Sequence, residues 1–104
     1  MIDKIKTEIA IIEVLKTVYD PEISSNVYDL GLIYEININD KGYVNITMTL
    51  TAPGCPVAGE IIAEADNKVR AVEGVSDVNV MLTFDPPWNK EMMSEEAKFE
   101  LGFL

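Results

Sequence analysis

The chain has 104 residues, of which 48% are hydrophobic, and its 18 acidic and 8 basic side chains give a formal net charge of −10. This length supports a single core, so we expect one domain over residues 1–104. The charge disfavours binding to nucleic acid or to anionic lipid, and no apolar run reaches the roughly 18 residues that span a bilayer. The lone cysteine excludes an internal disulfide and no N-terminal stretch has a signal-peptide pattern, so we expect a cytoplasmic protein with no nucleic-acid or membrane partner.

Apolar residues at helical spacing predict a first helix near the N-terminus. We expect this helix to end at Pro21, because proline disfavours helical geometry at the preceding Asp20. A loop from Asp20 to about Asp29 should follow it. The predicted apolar face of the helix consists of Ile2, Ile5, Ile9, Ile12, Leu15 and either Val18 or Tyr19.

Two segments of alternating apolar and polar residues predict a β-hairpin with its turn at Asp40-Lys41-Gly42. Strict alternation of this kind is typical of strands with one buried face. The predicted buried face carries Leu32, Tyr34, Ile36 and Ile38 of the first strand and Val44, Ile46, Met48 and Leu50 of the second, and the opposite face carries Ile33, Glu35, Asn37, Asn39, Asn45, Thr47, Thr49 and Thr51.

Beyond Pro56 the apolar residues change to helical spacing, which predicts a second helix that Gly74 would close in a left-handed conformation. A third alternating strand follows from Val78 to Asp85 and stops at Pro86-Pro87. Ser94 is the predicted N-cap of a short C-terminal helix. The apolar positions are Ala58, Ile61, Ile62, Ala65, Val69 and Val72 in the second helix, and Val78, Val80, Leu82 and Phe84 in the third strand.

Strands that are apolar on one face only predict an α+β fold, a two-layer sandwich in the order α-β-β-α-β. We expect a three-stranded sheet with both long helices on its apolar face and a short helix at the C-terminus. The polar face of the sheet is left open by this arrangement. It is either solvated or covered by a second copy of the chain, so a homodimer is one alternative.

Cys55 stands at the joint between the second predicted strand and the second predicted helix. Proline is favoured at the first position of a helix, so Pro56 makes Cys55 the N-cap or its neighbour. Unpaired N–H groups and the positive end of the helix dipole stabilise a thiolate there. We therefore expect the pKa of Cys55 to lie below the ordinary value of roughly 8.5.

Chemically distinctive residues from four segments should meet at one end of the sheet. In an antiparallel hairpin the start of one strand lies beside the end of the other, and a right-handed crossover would make the third strand end at the same edge. The predicted functional pocket comprises Asp20, Glu22, Asp29, Thr51, Cys55 and Pro56, and the predicted partner contacts are Pro87 and Trp88.

Each of these residues also has a purely structural interpretation. Asp20 is compatible with a simple helix stop, and Asp29 with a turn in which the side chain bonds its own backbone. Cys55 is compatible with a small buried apolar residue. Trp88 is either a plug over the end of the core or an exposed anchor for a partner.

The residue types limit the chemistry that such a pocket supports. A cysteine hydrolase generally needs a histidine base, and the chain contains none. One cysteine cannot complete a zinc site or hold an iron–sulfur cluster alone, although two copies, or one copy beside a partner, could share a cluster. We therefore expect a protein that is not an enzyme and whose single thiolate acts within a complex.

The motifs of the chain resemble those of the iron–sulfur cluster assembly domain family, once known only as a domain of unknown function. This family includes SufT-type proteins, PaaD-like proteins linked to phenylacetate degradation, and eukaryotic components of cytosolic iron–sulfur protein assembly. The resemblance runs from about residue 8 to the end, and Ser24-Ser25 departs from the usual Pro-Val. The matching motifs are Asp20-Pro21-Glu22-Ile23, Tyr28-Asp29-Leu30-Gly31-Leu32-Ile33-Tyr34, Thr51-Ala-Pro-Gly-Cys55-Pro56, Pro86-Pro87-Trp88 and Met93-Ser94-Glu95-Glu96-Ala97-Lys98.

The resemblance implies an α/β fold and a role in iron–sulfur protein maturation rather than metabolic catalysis. Cys55 corresponds to the recurrent reactive cysteine of the family, and Asp20, Glu22, Asp29 and Thr51 to residues that line its pocket. The implied partners are Suf-type scaffold or carrier proteins and apo iron–sulfur proteins. No cofactor is expected to bind tightly, but Cys55 is expected to be a transient ligand of an iron–sulfur cluster or of iron, shared across a dimer or with a partner.

Two departures qualify the resemblance. PaaD-like proteins carry a further cysteine-rich tail that this sequence lacks, which weakens that assignment. The sequence also lacks the Cys-x-x-Cys of NifU-type cluster carriers, which argues against independent cluster carriage. Our main hypothesis is an accessory factor of Suf-type assembly. The alternatives are a metal-independent adaptor that recruits apo-targets or a multi-component oxygenase, and a thiol-dependent enzyme.

Overall fold

The computed structural model describes residues 3–20, 25–51 and 58–102. The central sheet has the order β3-β4-β5, with β3 and β4 antiparallel and β4 and β5 parallel, and β1 pairs with β2 in a separate small sheet. The elements are α1 (Lys4–Leu15), β1 (Tyr19–Asp20), β2 (Ser25–Asn26), β3 (Ile33–Ile38), β4 (Tyr43–Met48), α2 (Ala58–Arg70), β5 (Asp77–Leu82), a 3-10 turn (Lys90–Met92) and α3 (Glu95–Glu100).

This architecture confirms the predicted α+β fold and adds the two-residue strands β1 and β2, which the sequence did not predict. Residues of α1 and α2 share one core with the buried residues of β4. None of the described helices combines the length and apolarity needed to cross a bilayer. The buried members from these elements are Ile11 and Leu15 of α1, Val44, Ile46 and Met48 of β4, and Ile61, Ala65 and Val69 of α2.

Helix α1 ends at Leu15, so the prediction that it continues to Pro21 was wrong. The chain turns instead, and the Val27 N–H donates to the Val18 carbonyl at 2.8 Å. This contact continues into the pairing of β1 with β2, in which Asp20 lies opposite Ser25. The helical spacing had extended the helix as far as Tyr19, but in the structure Tyr19 and Asp20 form β1 and pair with β2.

The buried face of α1 also differs from the predicted one. Thr7, Ile11 and Leu15 are buried at a spacing of four residues, whereas Ile5 is 73% and Ile9 57% exposed. The helix carries apolar residues on two of its faces, and only one of them can pack against the rest of the domain. The periodicity did not determine which face that would be.

Strand β3 contains an irregularity that changes which residues face the core. Its register with β4 shifts between Ile33 and Glu35, so that Ile33 lies opposite Met48 and packs against the core. The prediction had placed Ile33 on the polar face. Tyr34, predicted to face the core, sits at the shift and its hydroxyl donates to the Pro86 carbonyl at 2.8 Å. A bulge of this kind adds one residue to a strand and breaks its alternation.

Most of the remaining sequence assignments are confirmed. The Ala97 N–H donates to the Ser94 Oγ at 3.1 Å, which makes Ser94 the N-cap of α3. Gly74 has the predicted left-handed conformation, with φ +95°, but α2 already ends at Arg70, so this glycine lies in the following turn and does not close the helix. In β5, Val78 is buried but Leu82 is 41% exposed, and Phe84, which is 40% exposed, lies beyond the strand because β5 ends at Leu82. The predicted apolar face of this strand therefore holds only for its first half.

The Arg70 side chain ties the end of α2 to the start of β5. It donates to the Asp77 carboxylate at 2.5 Å and to the Val78 carbonyl at 3.1 Å. The hydrogen bond from Arg70 lowers the pKa of Asp77 below its ordinary value of 3.8. Stabilisation by this contact is therefore present above that value and is lost as the pH falls through the folded-state pKa.

Replacing Asp77 with Asn should flatten the acid limb of the stability profile. Urea denaturation of the wild type and of Asp77→Asn between about pH 5 and pH 2 would measure it, because only the wild type has the linked proton at this site. The wild type should lose more stability over that interval than the variant. An NMR titration that placed the Asp77 midpoint at or above 3.8 would contradict this expectation.

Gly31 should tolerate no side chain. Its φ is +79°, and a Cβ built on it would overlap the carbonyl of Met92. We expect Gly31→Ala to lower the free energy of unfolding by about 1–3 kcal/mol or more, through backbone strain and overpacking together. Gly59→Ala is the matched control, since Gly59 lies in α2 with open space around it and should gain about 0.5–1 kcal/mol. Equal effects of the two substitutions on the free energy of unfolding, measured by chemical denaturation, would refute the prediction that Gly31 tolerates no side chain.

Candidate functional site

The carboxylate of Asp20 is buried at the end of β1, where it is 1% exposed. The Thr51 hydroxyl donates to its Oδ2 at 3.5 Å. A buried carboxylate is costly unless polar groups surround it, so this contact helps Asp20 to occupy the interior. Two predicted pocket residues that lie 31 positions apart in the chain are thus brought together.

The backbone beyond β4 delivers Thr51 to this place. The Thr49 N–H donates to the Leu32 carbonyl at 2.8 Å, which extends the antiparallel pairing past the end of β4. On the other side the Thr83 N–H donates to the Met48 carbonyl at 2.9 Å. The segments around residues 32, 49 and 83 therefore meet at one edge, as the predicted parallel arrangement of the second and third strands requires.

Thr49 is a site-proximal residue whose burial the sequence did not predict. It is fully buried, although alternation placed it on the open polar face with Thr47 and Thr51. Its Oγ1 has no hydrogen-bond partner within the described part of the chain. A buried hydroxyl without a partner is unusual, and this one lies two residues before Thr51.

Asp29 is held in a reciprocal pair with Asn26. The Asn26 side-chain amide donates to the Asp29 carboxylate at 2.8 Å, and the Asp29 N–H donates back to the Asn26 Oδ1 at 2.8 Å. Since Asn26 of β2 lies opposite Tyr19, the pair adjoins the strand that carries Asp20. Sequence reasoning missed Asn26, because the three-residue spacing from Asn26 to Asp29 in a polar loop also suits an ordinary turn.

Trp88 reaches the same edge from the end of β5. Its indole N–H donates to the Leu30 carbonyl at 2.7 Å, and the ring is partly buried against the core. The preceding Pro87 is exposed. The position of the indole therefore fits the interpretation of Trp88 as a plug over the end of the core. The role of Pro87 and Trp88 as partner contacts stays a prediction.

The remaining pocket predictions fall on Glu22, Cys55 and Pro56, which lie outside the described residues. In the sequence, Thr51 and Ala58 are the described residues on either side of Cys55. Among residues 3–20, 25–51 and 58–102, no three His, Asp or Glu side chains come together in a way that could hold a metal ion. The described part of the site thus offers a carboxylate and a hydroxyl, which can form hydrogen bonds or supply single oxygen ligands.

The sequence matches the model of a known family, described as iron–sulfur cluster assembly protein, over residues 8–82. An Fe–S protein maturation auxiliary factor from Porphyromonas gingivalis is 58% identical over 100 residues, which cover 96% of this chain and 95% of that protein. The Fe–S protein maturation auxiliary factor SufT from Staphylococcus aureus is 39% identical over 85 residues, which cover 82% of this chain and 97% of that one. A solved structure of a domain of unknown function from Bacillus anthracis superimposes with a TM-score of 0.88 at 35% identity, over 95% of this chain and 94% of that chain.

One relative contains the matching region as a minor part of a longer chain. The iron–sulfur cluster carrier protein from Synechocystis is 31% identical over 88 residues, which cover 85% of this chain but only 25% of that protein. The same kind of domain therefore occurs both as a short chain and as a segment of a larger one.

The contact between Asp20 and Thr51 should give a small positive coupling energy. We expect about 0.5 kcal/mol from a double-mutant cycle with Asp20→Ala and Thr51→Val, at the low end for hydrogen bonds because the oxygens are 3.5 Å apart. Urea denaturation of the two single variants and the double variant would measure it. Strict additivity would mean that the two side chains are neighbours without an interaction.

Proposed function

The chain belongs to the iron–sulfur cluster assembly protein family, and from this membership we propose that it is an accessory factor in the maturation of iron–sulfur proteins. The family match spans Asp20, Asp29, Thr51 and Cys55. Relatives that match nearly end to end carry the name of Fe–S protein maturation auxiliary factors. The observation that carries the proposal is this match together with the buried Asp20–Thr51 contact immediately before the cysteine-containing segment.

In this role Cys55 acts as a transient ligand of the cluster that is transferred. Its thiol releases a proton to solvent, its sulfur bonds to iron, and the ligand that the donor protein supplied departs, with no change in oxidation state. A thiolate is a preferred ligand of iron–sulfur clusters, and the oxygens of Asp20 and Thr51 supply polar groups near the same strand end. The cluster is cargo in this scheme and is not a resident cofactor.

We propose a non-enzymatic role. The chain contains no histidine that could serve as a base beside the thiol. A ligand exchange needs only a thiolate and a docking geometry, whereas turnover of a metabolite by acid–base chemistry needs a group that titrates near neutral pH. This composition therefore supports cluster transfer better than thiol-dependent catalysis.

The partners we propose are scaffold or carrier proteins of cluster assembly and the apo-proteins that receive clusters. Support comes from the Synechocystis carrier, in which the matching region makes up about a quarter of the protein. A domain that is covalently joined to a carrier in one organism is well suited to act beside a separate carrier in another.

Cys55→Ser should abolish the function. In a host that lacks the wild-type gene, the activity of cluster-dependent enzymes should fall, and a Cys55→Ser copy should fail to restore it, because a hydroxyl is a poor ligand for cluster iron. Ser76→Ala is the matched control: its hydroxyl donates to the Lys41 carbonyl at the opposite end of the sheet. This control should restore activity fully. Full restoration by Cys55→Ser at equal protein level would refute the role of the thiol.

A metal-independent adaptor is a second candidate, favoured by exposed apolar side chains at the end of β5. Met81, Leu82 and Phe84 are each at least 40% exposed. An adaptor would retain its partners in a pull-down after Cys55→Ala, and anaerobic reconstitution would give no cysteine-dependent visible absorption. Cysteine-dependent absorption in a mixture with a donor protein would instead favour cluster transfer.

A further inference from the structure

Residues 86–94, here called the C-terminal strap, hold the backbone of the turn that precedes β3. The Trp88 indole N–H donates to the Leu30 carbonyl at 2.7 Å, and the Ser94 N–H donates to the Asp29 carbonyl at 2.7 Å. The Met92 carbonyl occupies the space that a side chain on Gly31 would need. Three consecutive residues of the turn are thus in contact with the strap.

The residue that follows this turn joins the two segments that carry the candidate site. The Leu32 N–H donates to the Val27 carbonyl at 3.0 Å, and its own carbonyl accepts from the Thr49 N–H at 2.8 Å. Val27 in turn donates to the Val18 carbonyl at 2.8 Å. Val18 lies two residues before Asp20 and Thr49 two residues before Thr51, so both site segments are tied to Leu32, one of them through Val27.

We propose that Trp88 is a positioning residue of the site: through the Leu30 carbonyl it fixes Leu32, and through Leu32 it sets the placement of Asp20 relative to Thr51. The inference rests on the proposed function, because it concerns the same pocket. It differs from a plug role, which needs only the buried area of the ring. The hydrogen bond matters because Leu30 is fully buried, so its carbonyl finds no replacement donor in solvent.

Trp88→Phe keeps an aromatic ring in the plug position and removes the N–H donor together with one ring of the indole, and the Ser94 variants below remove a strap N–H without the loss of a ring. Hydrogen exchange of the Val27, Leu32 and Thr49 amides in the full chain should become about tenfold faster in this variant, because loss of the bond loosens the junction locally. Ser76→Ala removes a side-chain donor to a loop carbonyl at the other end of the sheet and should leave these three amides unchanged. Unchanged exchange at the three amides in Trp88→Phe would overturn the proposal.

The site itself gives the second readout. We expect the pH profile of Cys55 alkylation by iodoacetamide to shift in Trp88→Phe and to match the wild type in Ser76→Ala, with a rate change of about threefold or more near neutral pH. A variant with faster amide exchange but an unaltered alkylation profile would also overturn the proposal, because the strap would then hold the fold and leave the site as it was.

Ser94 offers a second pair of variants in case Trp88→Phe does not fold. Ser94 has φ −63° and the preceding Met93 has ψ 149°, so the backbone accepts proline at position 94. Ser94→Pro removes the N–H that binds the Asp29 carbonyl, and both Ser94→Pro and Ser94→Ala remove the helix cap. Faster exchange and a shifted alkylation profile in Ser94→Pro relative to Ser94→Ala would support the strap, and identical behaviour would overturn it.

These readouts are independent of cluster transfer. If Cys55→Ser restored the activity of cluster-dependent enzymes in the host, the proposed function would be refuted. The exchange and alkylation measurements would still test whether the C-terminal strap positions the site. If the strap variants matched their controls, the positioning role of Trp88 would fail while the function of Cys55 stood.

Discussion

The parallel pairing of β4 with β5 is the constraint from which the arrangement of the site follows. Parallel neighbours need a crossover, which α2 supplies, and their carboxyl ends necessarily lie at the same edge of the sheet. Because β3 is antiparallel to β4, its start lies at that edge too. The turn before β3, the residues after β4 and the residues after β5 therefore have to share one location, whatever side chains they carry.

Backbone hydrogen bonds, more than side-chain contacts, give that edge its shape. The Leu32 carbonyl accepts from the Thr49 N–H and the Leu32 N–H donates to the Val27 carbonyl, so one residue links the end of β4 to the small β1–β2 sheet. Side-chain hydrogen bonds then connect residues within this frame. Asn26 and Asp29 bond to each other, and the Thr51 hydroxyl donates to the Asp20 carboxylate. A backbone frame of this kind helps a carboxylate to be buried, because it holds the polar partner of the carboxylate, the Thr51 hydroxyl, beside it.

Regular periodicity made the sheet and α2 predictable, and its breakdown explains the errors. Val44, Ile46 and Met48 alternate without interruption and are buried, whereas the register shift between Ile33 and Glu35 interrupts the alternation at the start of β3 and leaves Ile36 and Ile38 packed against the core as predicted. Strands of two residues, such as β1, are too short to have a period, so Pro21 was read as a helix stop although the helix had already ended at Leu15. The convergence of Asp20 with Thr51 followed from topology alone. The burial of Asp20 and Thr49 depends on what covers them, and no local pattern reports that.

A single thiol suits a protein that passes a cluster on rather than keeping it. A cluster generally takes four protein ligands, so a chain with one cysteine supplies one and leaves three to its partners. In the proposed function, its hold on the cluster would therefore be weak unless a donor or acceptor is docked, and the affinity of the complex, not of the thiol, would decide where the cluster goes. Such a mechanism requires that the thiol be presented in one orientation at the moment of docking. The edge framed by Leu32 and held by residues 86–94 carries Thr51, the last described residue before that thiol in the sequence.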